Sequence, residues 1–297
     1  MHGRVLAGVE TGGSKILARV VDERGQTVAD GRWPTTTPEA ALEALTTFIA
    51  AATRGRTLAA IGIAAFGPLV CDELSLDYGR VLSTPKAKWS GSNLRLELAG
   101  RFAVPVAIDT DVNAAARAEW QRGAGRGIRC LAYVTVGTGI GGGLVVDGRP
   151  LHGALHPEIG HLSLTRRDGD DMHSVCPFHP NCAEGLTAGP AIERRLGLNR
   201  TLSSEPSVLD LVGGYLGELA GCLVLCWSPQ RILWGGGVMA TAGLLERLRE
   251  SMGQSLAGYG VGGAVIAADF CALPALGDSG LEGALLMARA VSQQAPQ

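Results

Sequence analysis

The chain has 297 residues, 46% of them hydrophobic, and 26 basic against 28 acidic side chains give a net charge of −2. That length suits two domains of about 150 residues each, and the charge balance gives no basic field of the kind that binds nucleic acid or anionic membrane. No uninterrupted apolar run approaches the roughly 20 residues of a membrane span, and MHGRVLAGVE enters a strand without a leader's apolar region, so a cytoplasmic protein is expected.

Arg4–Glu10 reads as a short apolar strand and Ile16–Val21 as its partner, joined by Thr11-Gly12-Gly13-Ser14-Lys15. Glycines at such a turn let backbone N–H groups face an anion with no Cβ in the way. A P-loop needs a helix next, whereas a third strand near Thr27–Arg32 is expected here, so an ordinary hairpin turn fits as well as a phosphate contact. Thr37-Pro38-Glu39 is a helix start, with a capping hydroxyl, Pro at the first position and an acid in the first turn. The helix should run to about Thr53, burying Leu42, Leu45 and Ile49, ahead of a buried strand at Leu58–Ala65.

A looser stretch, 70–91, leads to a helix at Leu94–Phe102 and a strand at Val104–Ile108. That strand runs into Asp109-Thr110-Asp111-Val112-Asn113 and an Ala-rich helix to about Arg122. Acids at a strand's C-terminal end, facing a helix start, occupy the usual place of an α/β active site. A simple helix cap with a solvated neighbour has the same letters. Cys130–Val136 is the next strand, ending in Gly137-Thr138-Gly139-Ile140-Gly141-Gly142-Gly143. This matches the spacing of a dinucleotide fingerprint, but a strand follows where the fingerprint needs a helix. The chain thus holds two strand, glycine turn, strand units, a duplication of form.

His161, Cys176, His179 and Cys182 stand in an H-x14-C-x2-H-x2-C series. Cys and His at such short spacings suit tetrahedral zinc, and Pro177 and Pro180 stiffen the turn. His173 competes with His161 for the fourth position, and two loop histidines beside two reduced cysteines are the plain alternative. Glu158 lies three residues before His161, and Glu184 two residues after Cys182. The other cysteines (Cys71, Cys130, Cys222, Cys226, Cys271) read as reduced core residues. Helices are expected at Gly189–Leu196 and Ser207–Trp227, then a strand at Arg231–Trp234 ending in Gly235-Gly236-Gly237. A helix from about Thr241 to Leu256 would make that turn a third anion or nucleotide contact. A strand at Ala264–Asp269 and a helix from Ser279 to about Val291 close the chain.

Together the Gly8–Lys15 loop, the Asp109–Asn113 acids, the Gly137–Gly143 loop, Glu158–His161 and the Cys176–Cys182 knuckle resemble the ROK family of sugar kinases, and within it the zinc-type fructokinases. The resemblance runs over essentially the whole chain. It implies an actin/hexokinase-like (ribonuclease H-like) α/β fold of two domains closing over a cleft. Residues 1–112 would be the small domain, with the closing helix 279–297 packed back on it. Residues 113–278 would be the large domain, carrying the zinc knuckle at 156–185.

The resemblance also implies roles. Asp111 would be the catalytic base and a sugar contact, Glu158 and His161 the other sugar-site residues, and His161, Cys176, His179 and Cys182 the zinc ligands. Gly12, Gly13, Lys15, Thr138 and Gly139 would hold phosphates, and Gly235, Gly236 and Gly237 the adenosine. ATP, Mg²⁺ and Zn²⁺ are the implied cofactors, and a hexose, most directly the 6-hydroxyl of D-fructose, the substrate of a homodimer. Thr110 stands where many relatives carry a sugar-binding Asn, and Glu10 where many carry Asp, as a Mg²⁺ or water contact. The alternatives are a kinase for glucose, mannose or an N-acetylhexosamine, and a non-catalytic sugar-sensing protein. The family's repressors need a DNA-binding helix-turn-helix ahead of the first loop, and no basic recognition helix precedes Gly8.

Overall fold

Val5, Ala7, Val9, Ile16, Ala18 and Val20 are buried at alternate positions along two strands, β1 (Arg4–Thr11) and β2 (Lys15–Asp22). That period of two presents one apolar face to a helical layer. β3 (Thr27–Pro34), α1 (Pro38–Ala52), β4 (Thr57–Ala65), α2 (Leu94–Phe102), β5 (Val106–Thr110) and α3 (Asp111–Arg122) follow. The computed structural model describes residues 3–197, 200–260 and 263–294. Thr37 caps α1 with Pro38 in its first turn, and Leu42, Leu45 and Ile49 face the sheet, as expected.

The chain divides into two compact units. The first holds the chain up to Glu119, the segment Pro150–His156, and the chain from Leu276 onward. Its five-stranded sheet has the order β3-β2-β1-β4-β5, antiparallel through β3, β2 and β1 and parallel from β1 through β4 to β5. α1 and α2 cover one face. On the other face, side chains of the closing helix (Ser279–Gln294) pack on Leu6, Val21, Ala60, Ala64 and Ala114. The expected boundary at 112/113 falls inside α3, one unbroken helix that carries the chain from the first unit into the second.

The second unit spans Trp120–Arg149 and Pro157–Ala275. Its elements are β6 (Cys130–Val136), β7 (Ile140–Val146), β8 (Arg149–Pro150, whose second residue already belongs to the first unit), α4 (Ala183–Thr187), α5 (Gly189–Leu196), α6 (Pro206–Trp227), β9 (Arg231–Gly235), α7 (Leu244–Leu256) and β10 (Cys271–Ala272); the closing helix is α8. The sheet order is β10-β9-β6-β7-β8, again a hairpin (β6–β7) whose first strand pairs in parallel with a later one (β9). α6 is long and apolar enough to cross a membrane, yet 67% of its apolar window is buried inside the protein, where Tyr215, Leu216 and Leu219 pack with Trp234. It is a core helix.

Two expectations are corrected. The strand expected at Ala264–Asp269 is a short 3-10 turn, Gly263–Ile266, and the strand comes at Cys271–Ala272. Only Val265 of that turn reaches the core, and Ile266 faces solvent, so the run has no side to pair on. Cys271 and Ala272 instead pair with Ile232 and Leu233. The helix expected from Thr241 begins at Leu244, because a 3-10 turn at Gly237–Ala240 comes first and Gly243, at φ 81°, starts the helix. Among the other cysteines, Cys226 is exposed rather than part of the core.

Gly62 on β4 lets α8 approach so closely that a Cβ there would lie 1.9 Å from the Ala284 carbonyl oxygen. Gly62→Ala should therefore cost about 1–3 kcal/mol of stability in urea unfolding. Gly100→Ala, at an open site on α2, should leave stability unchanged or raise it by up to about 1 kcal/mol.

Candidate active site

In the first unit the β1–β2 turn is held from three sides. Gly12 N–H donates to the Lys15 carbonyl at 2.8 Å, Thr35 Oγ1 donates to the Gly12 carbonyl at 2.8 Å, and Lys86 Nζ donates to the Gly13 carbonyl at 2.5 Å. The N–H groups of Gly13 and Ser14 at its tip have no partner among the described residues. At its foot the buried Thr11 hydroxyl has none either. A turn fastened by its carbonyls, with free amides at the tip, suits an anionic ligand. Lys86 reaches this turn from the 70–91 stretch, far from it in sequence.

Glu10 precedes this turn and lies against the N-terminus of α8. A Cβ at Gly280 would come within 2.8 Å of the Glu10 carboxylate carbon. Burial raises the Glu10 pKa, Lys15 opposes that, Asp278 adds to it, and the Leu281 N–H lowers it. Gly280 is a site residue that local sequence could not reveal, since what it touches lies at the other end of the chain.

The Asp109–Asn113 segment divides its work. Asp109 is buried, and its Oδ1 accepts from the Thr110 N–H at 2.7 Å and from Asn113 Nδ2 at 2.9 Å, with His152 Nε2 at 3.0 Å. Thr110 Oγ1 accepts from the Asn113 N–H at 3.1 Å and so caps α3. Asp111 is half-buried on the first turn of α3, with its Oδ1 bonded to the Val112 N–H at 2.9 Å. His152 and His156 were missed in the sequence. His156 is buried, and its Nε2 accepts the Leu69 N–H at 3.1 Å.

In the second unit, the β6–β7 turn is tied by Gly137 N–H to the Gly139 carbonyl at 2.9 Å and by Gly189 N–H to the Gly137 carbonyl at 2.7 Å. Thr138 and Gly139 N–H have no partner among the described residues. Glu184 Oε2 accepts the Ile140 N–H at 2.9 Å and lies so near the turn that a Cβ on Gly139 would sit 2.5 Å from it. Ile159 packs on the same hairpin, where a Cβ at Gly142 would lie 2.4 Å from it, so Glu158 starts a 3-10 turn beside the loop. The Glu158 carboxyl is pushed up to about 7, first by burial and then by the Glu184 charge.

One donor atom each from His161, Cys176, His179 and Cys182 lies within 4.8 Å of the others, and His173 is not in this group. A tetrahedron with metal–sulfur about 2.3 Å and metal–nitrogen about 2.0 Å has sulfur–nitrogen edges of about 3.5 Å. Cys176 Sγ lies 3.8 Å from His161 Nδ1 and 3.7 Å from His179 Nδ1, so the donor set and its spacing fit a zinc ion. Backbone bonds set the frame: Ala183 N–H to the Leu162 carbonyl at 3.0 Å and Leu164 N–H to the Asn181 carbonyl at 2.9 Å.

Gly235 and Gly236 have packing reasons of their own. A Cβ on Gly235 would meet the Tyr133 hydroxyl at 2.3 Å, and Gly236 has φ 89° against the Val136 backbone. Gly237 faces open space, and a 3-10 turn follows it in place of the expected helix N-terminus.

The ROK family model matches residues 6–291. A fructokinase of Zymomonas mobilis is 38% identical over 296 residues, covering 96% of this chain and 97% of that one. Among solved structures, a ROK hexokinase from Thermus thermophilus superposes with a TM-score of 0.75 at 29% identity, covering 98% of this chain and 100% of the other. A ROK-family glucokinase from Streptomyces griseus, in complex with glucose and AMPPNP, does so with a TM-score of 0.75 at 26% identity, covering 96% and 99%.

The two aspartates should separate by stability. Asp109→Ala strips a buried acceptor from Thr110 and Asn113 and should cost about 1–3 kcal/mol in denaturant unfolding. Asp111→Asn, on the half-buried first turn of α3, should change stability by no more than about 1 kcal/mol.

Proposed function

This chain belongs to the ROK family, and we propose that it is an ATP:hexose phosphotransferase, a fructokinase that transfers the γ-phosphoryl group of ATP to the 6-hydroxyl of D-fructose. The near-full-length likeness to a named fructokinase supports the sugar. The observation that carries the phosphoryl chemistry is that each unit has a hairpin turn whose tip bears two amides without a partner among the described residues. Phosphoryl transfer needs positioning and charge neutralisation more than covalent help, and those amides supply both to phosphate oxygens.

Within this reading Asp111 takes the proton from the attacking hydroxyl, the task of a carboxylate at a strand's end. Gly12 and Gly13, with Lys15, and Thr138 and Gly139 hold the phosphates, and Gly237 offers an open edge to the adenosine beside Gly235 and Gly236. Glu158 and His161 form the sugar side. Mg²⁺ arriving with the nucleotide would supply charge neutralisation to the phosphates these turns hold. His161, Cys176, His179 and Cys182 would hold zinc; with four protein ligands it would fasten the turn after Glu158 and leave Lewis-acid work to Mg²⁺. A cytoplasmic homodimer completes the reading. A glucose kinase is the second reading, favoured by the likeness to the glucose-bound Streptomyces griseus structure.

ADP release measured with ATP, Mg²⁺ and a panel of hexoses tests the reaction. Fructose should give the highest kcat/KM, and a preference for glucose would transfer the assignment to the second reading. Asp111→Asn should lower kcat by about 10²-fold or more with sugar still bound; near-normal turnover in that variant removes Asp111 as the base.

Zinc has its own test. Cys176→Ser should lose about one zinc per chain, lower the Tm, and raise KM for sugar more than KM for ATP. A zinc-free variant with wild-type sugar affinity would reduce the knuckle to a staple remote from the sugar.

A further inference from the structure

Cys71, Asp109 and His152 come from three separate stretches of the first unit, and none belongs to the Cys/His knuckle. Cys71 Sγ lies 3.6 Å and His152 Nε2 3.0 Å from Asp109 Oδ1, and one donor atom from each residue lies within 4.8 Å of the others. Asp109 is buried, Cys71 is half-buried, and the His152 side chain is 36% exposed, which opens one approach from solvent. Glu73 adds negative charge near His152.

A second observation is independent of the cluster. Asn113 is wholly buried, and its Oδ1 has no hydrogen-bond partner among the described residues. Its Nδ2 stands 2.9 Å from Asp109 Oδ1 and 3.1 Å from His152 Nε2. When Nε2 carries the proton it gives to Asp109, the Asn113 amide faces a donor with a donor, while its acceptor goes unused. An unused buried acceptor is costly. A half-turn of the amide would bring Oδ1 against the imidazole nitrogen and the carboxylate oxygen. Two oxygens that close are stable with a cation between them.

We propose that Cys71, Asp109 and His152, joined by Asn113 Oδ1 after that half-turn, bind a second divalent ion of the borderline class, Zn²⁺ or Co²⁺. Thiolate, imidazole and carboxylate are the donors such ions take. On binding, the Cys71 thiol releases its proton to solvent and its sulfur bonds the metal. Ligands from three separate segments hold the ion, and Asp109 and Asn113 tie it to the start of α3. Asp111 lies on that turn, so the ion restrains the proposed base and slows turnover. That last consequence rests on the kinase reading; the site itself does not.

The test is metal analysis of the whole chain after equilibration with Zn²⁺, followed by a mild chelator. Two ions per chain are expected, one tight and one readily stripped. Cys71→Ser and His152→Gln should each lose the stripped ion and keep the tight one, while Cys176→Ser loses the tight ion and keeps the other. Co²⁺ added to zinc-loaded protein should give a thiolate-to-cobalt charge-transfer band that Cys71→Ser abolishes and Cys226→Ser keeps. A single ion per chain, or a second ion that survives His152→Gln, overturns the site; His152→Gln serves even where Cys71→Ser fails to fold. Added Zn²⁺ should slow ADP release several-fold in the wild type and leave Cys71→Ser unaffected, and equal inhibition of both overturns the link to Asp111. A chain that binds two ions but phosphorylates no hexose overturns the kinase reading and leaves the site standing.

Discussion

The hydrogen bond from the Ile140 N–H to Glu184 Oε2, at 2.9 Å, joins the two halves of the second unit's site. Glu184 lies in α4, whose cap is Cys182, with Cys182 Sγ accepting the Gly185 N–H at 3.3 Å. One carboxylate therefore links the Cys/His cluster to the glycine turn of β6–β7. The link works only because Gly139 has no side chain, since a Cβ there would collide with the same carboxylate oxygen. Glycine at that position thus serves a contact within the protein.

The first unit solves the same problem differently. Its glycine turn is held by carbonyls, through Lys86 and Thr35, and Glu10 beneath it is held by the N-terminus of a helix from the far end of the chain. The Asp109–Asn113 segment shows how similar letters separate into different roles. Asp109 and Thr110 spend their oxygens on the local frame, while Asp111 sits half-buried on the helix's first turn. Thr110, standing where the family pattern has a sugar-binding amide, caps the helix.

Much of this was legible beforehand wherever the governing contact is short-range in sequence. The α1 start at Thr37-Pro38, the two glycine hairpins and the strand running into Asp109 follow from capping, turn and periodicity rules that act over a few residues. The failures have a common origin. An apolar run at Ala264–Asp269 looks like a strand, but a strand also needs a neighbour, and the register with Ile232 and Leu233 selects Cys271–Ala272 instead. The glycine run at Gly235–Gly237 looks like the opening of a helix, but a 3-10 turn comes first, and Gly235 and Gly236 pack against Tyr133 and Val136.

The amino-acid sequence alone therefore determined the family resemblance, the two-hairpin plan and the Cys-x2-His-x2-Cys knuckle, because those spacings confine their side chains within one or two turns of backbone. Only the tertiary structure selected His161 over His173 as the fourth member of the cluster. It alone placed Gly280 against Glu10 and brought Cys71 and His152 to Asp109. These pairs are separated by between 15 and 270 positions, counted from the numbering. At such separations local pattern sets no distance, and the packing of whole helices and sheets decides which polar atoms meet.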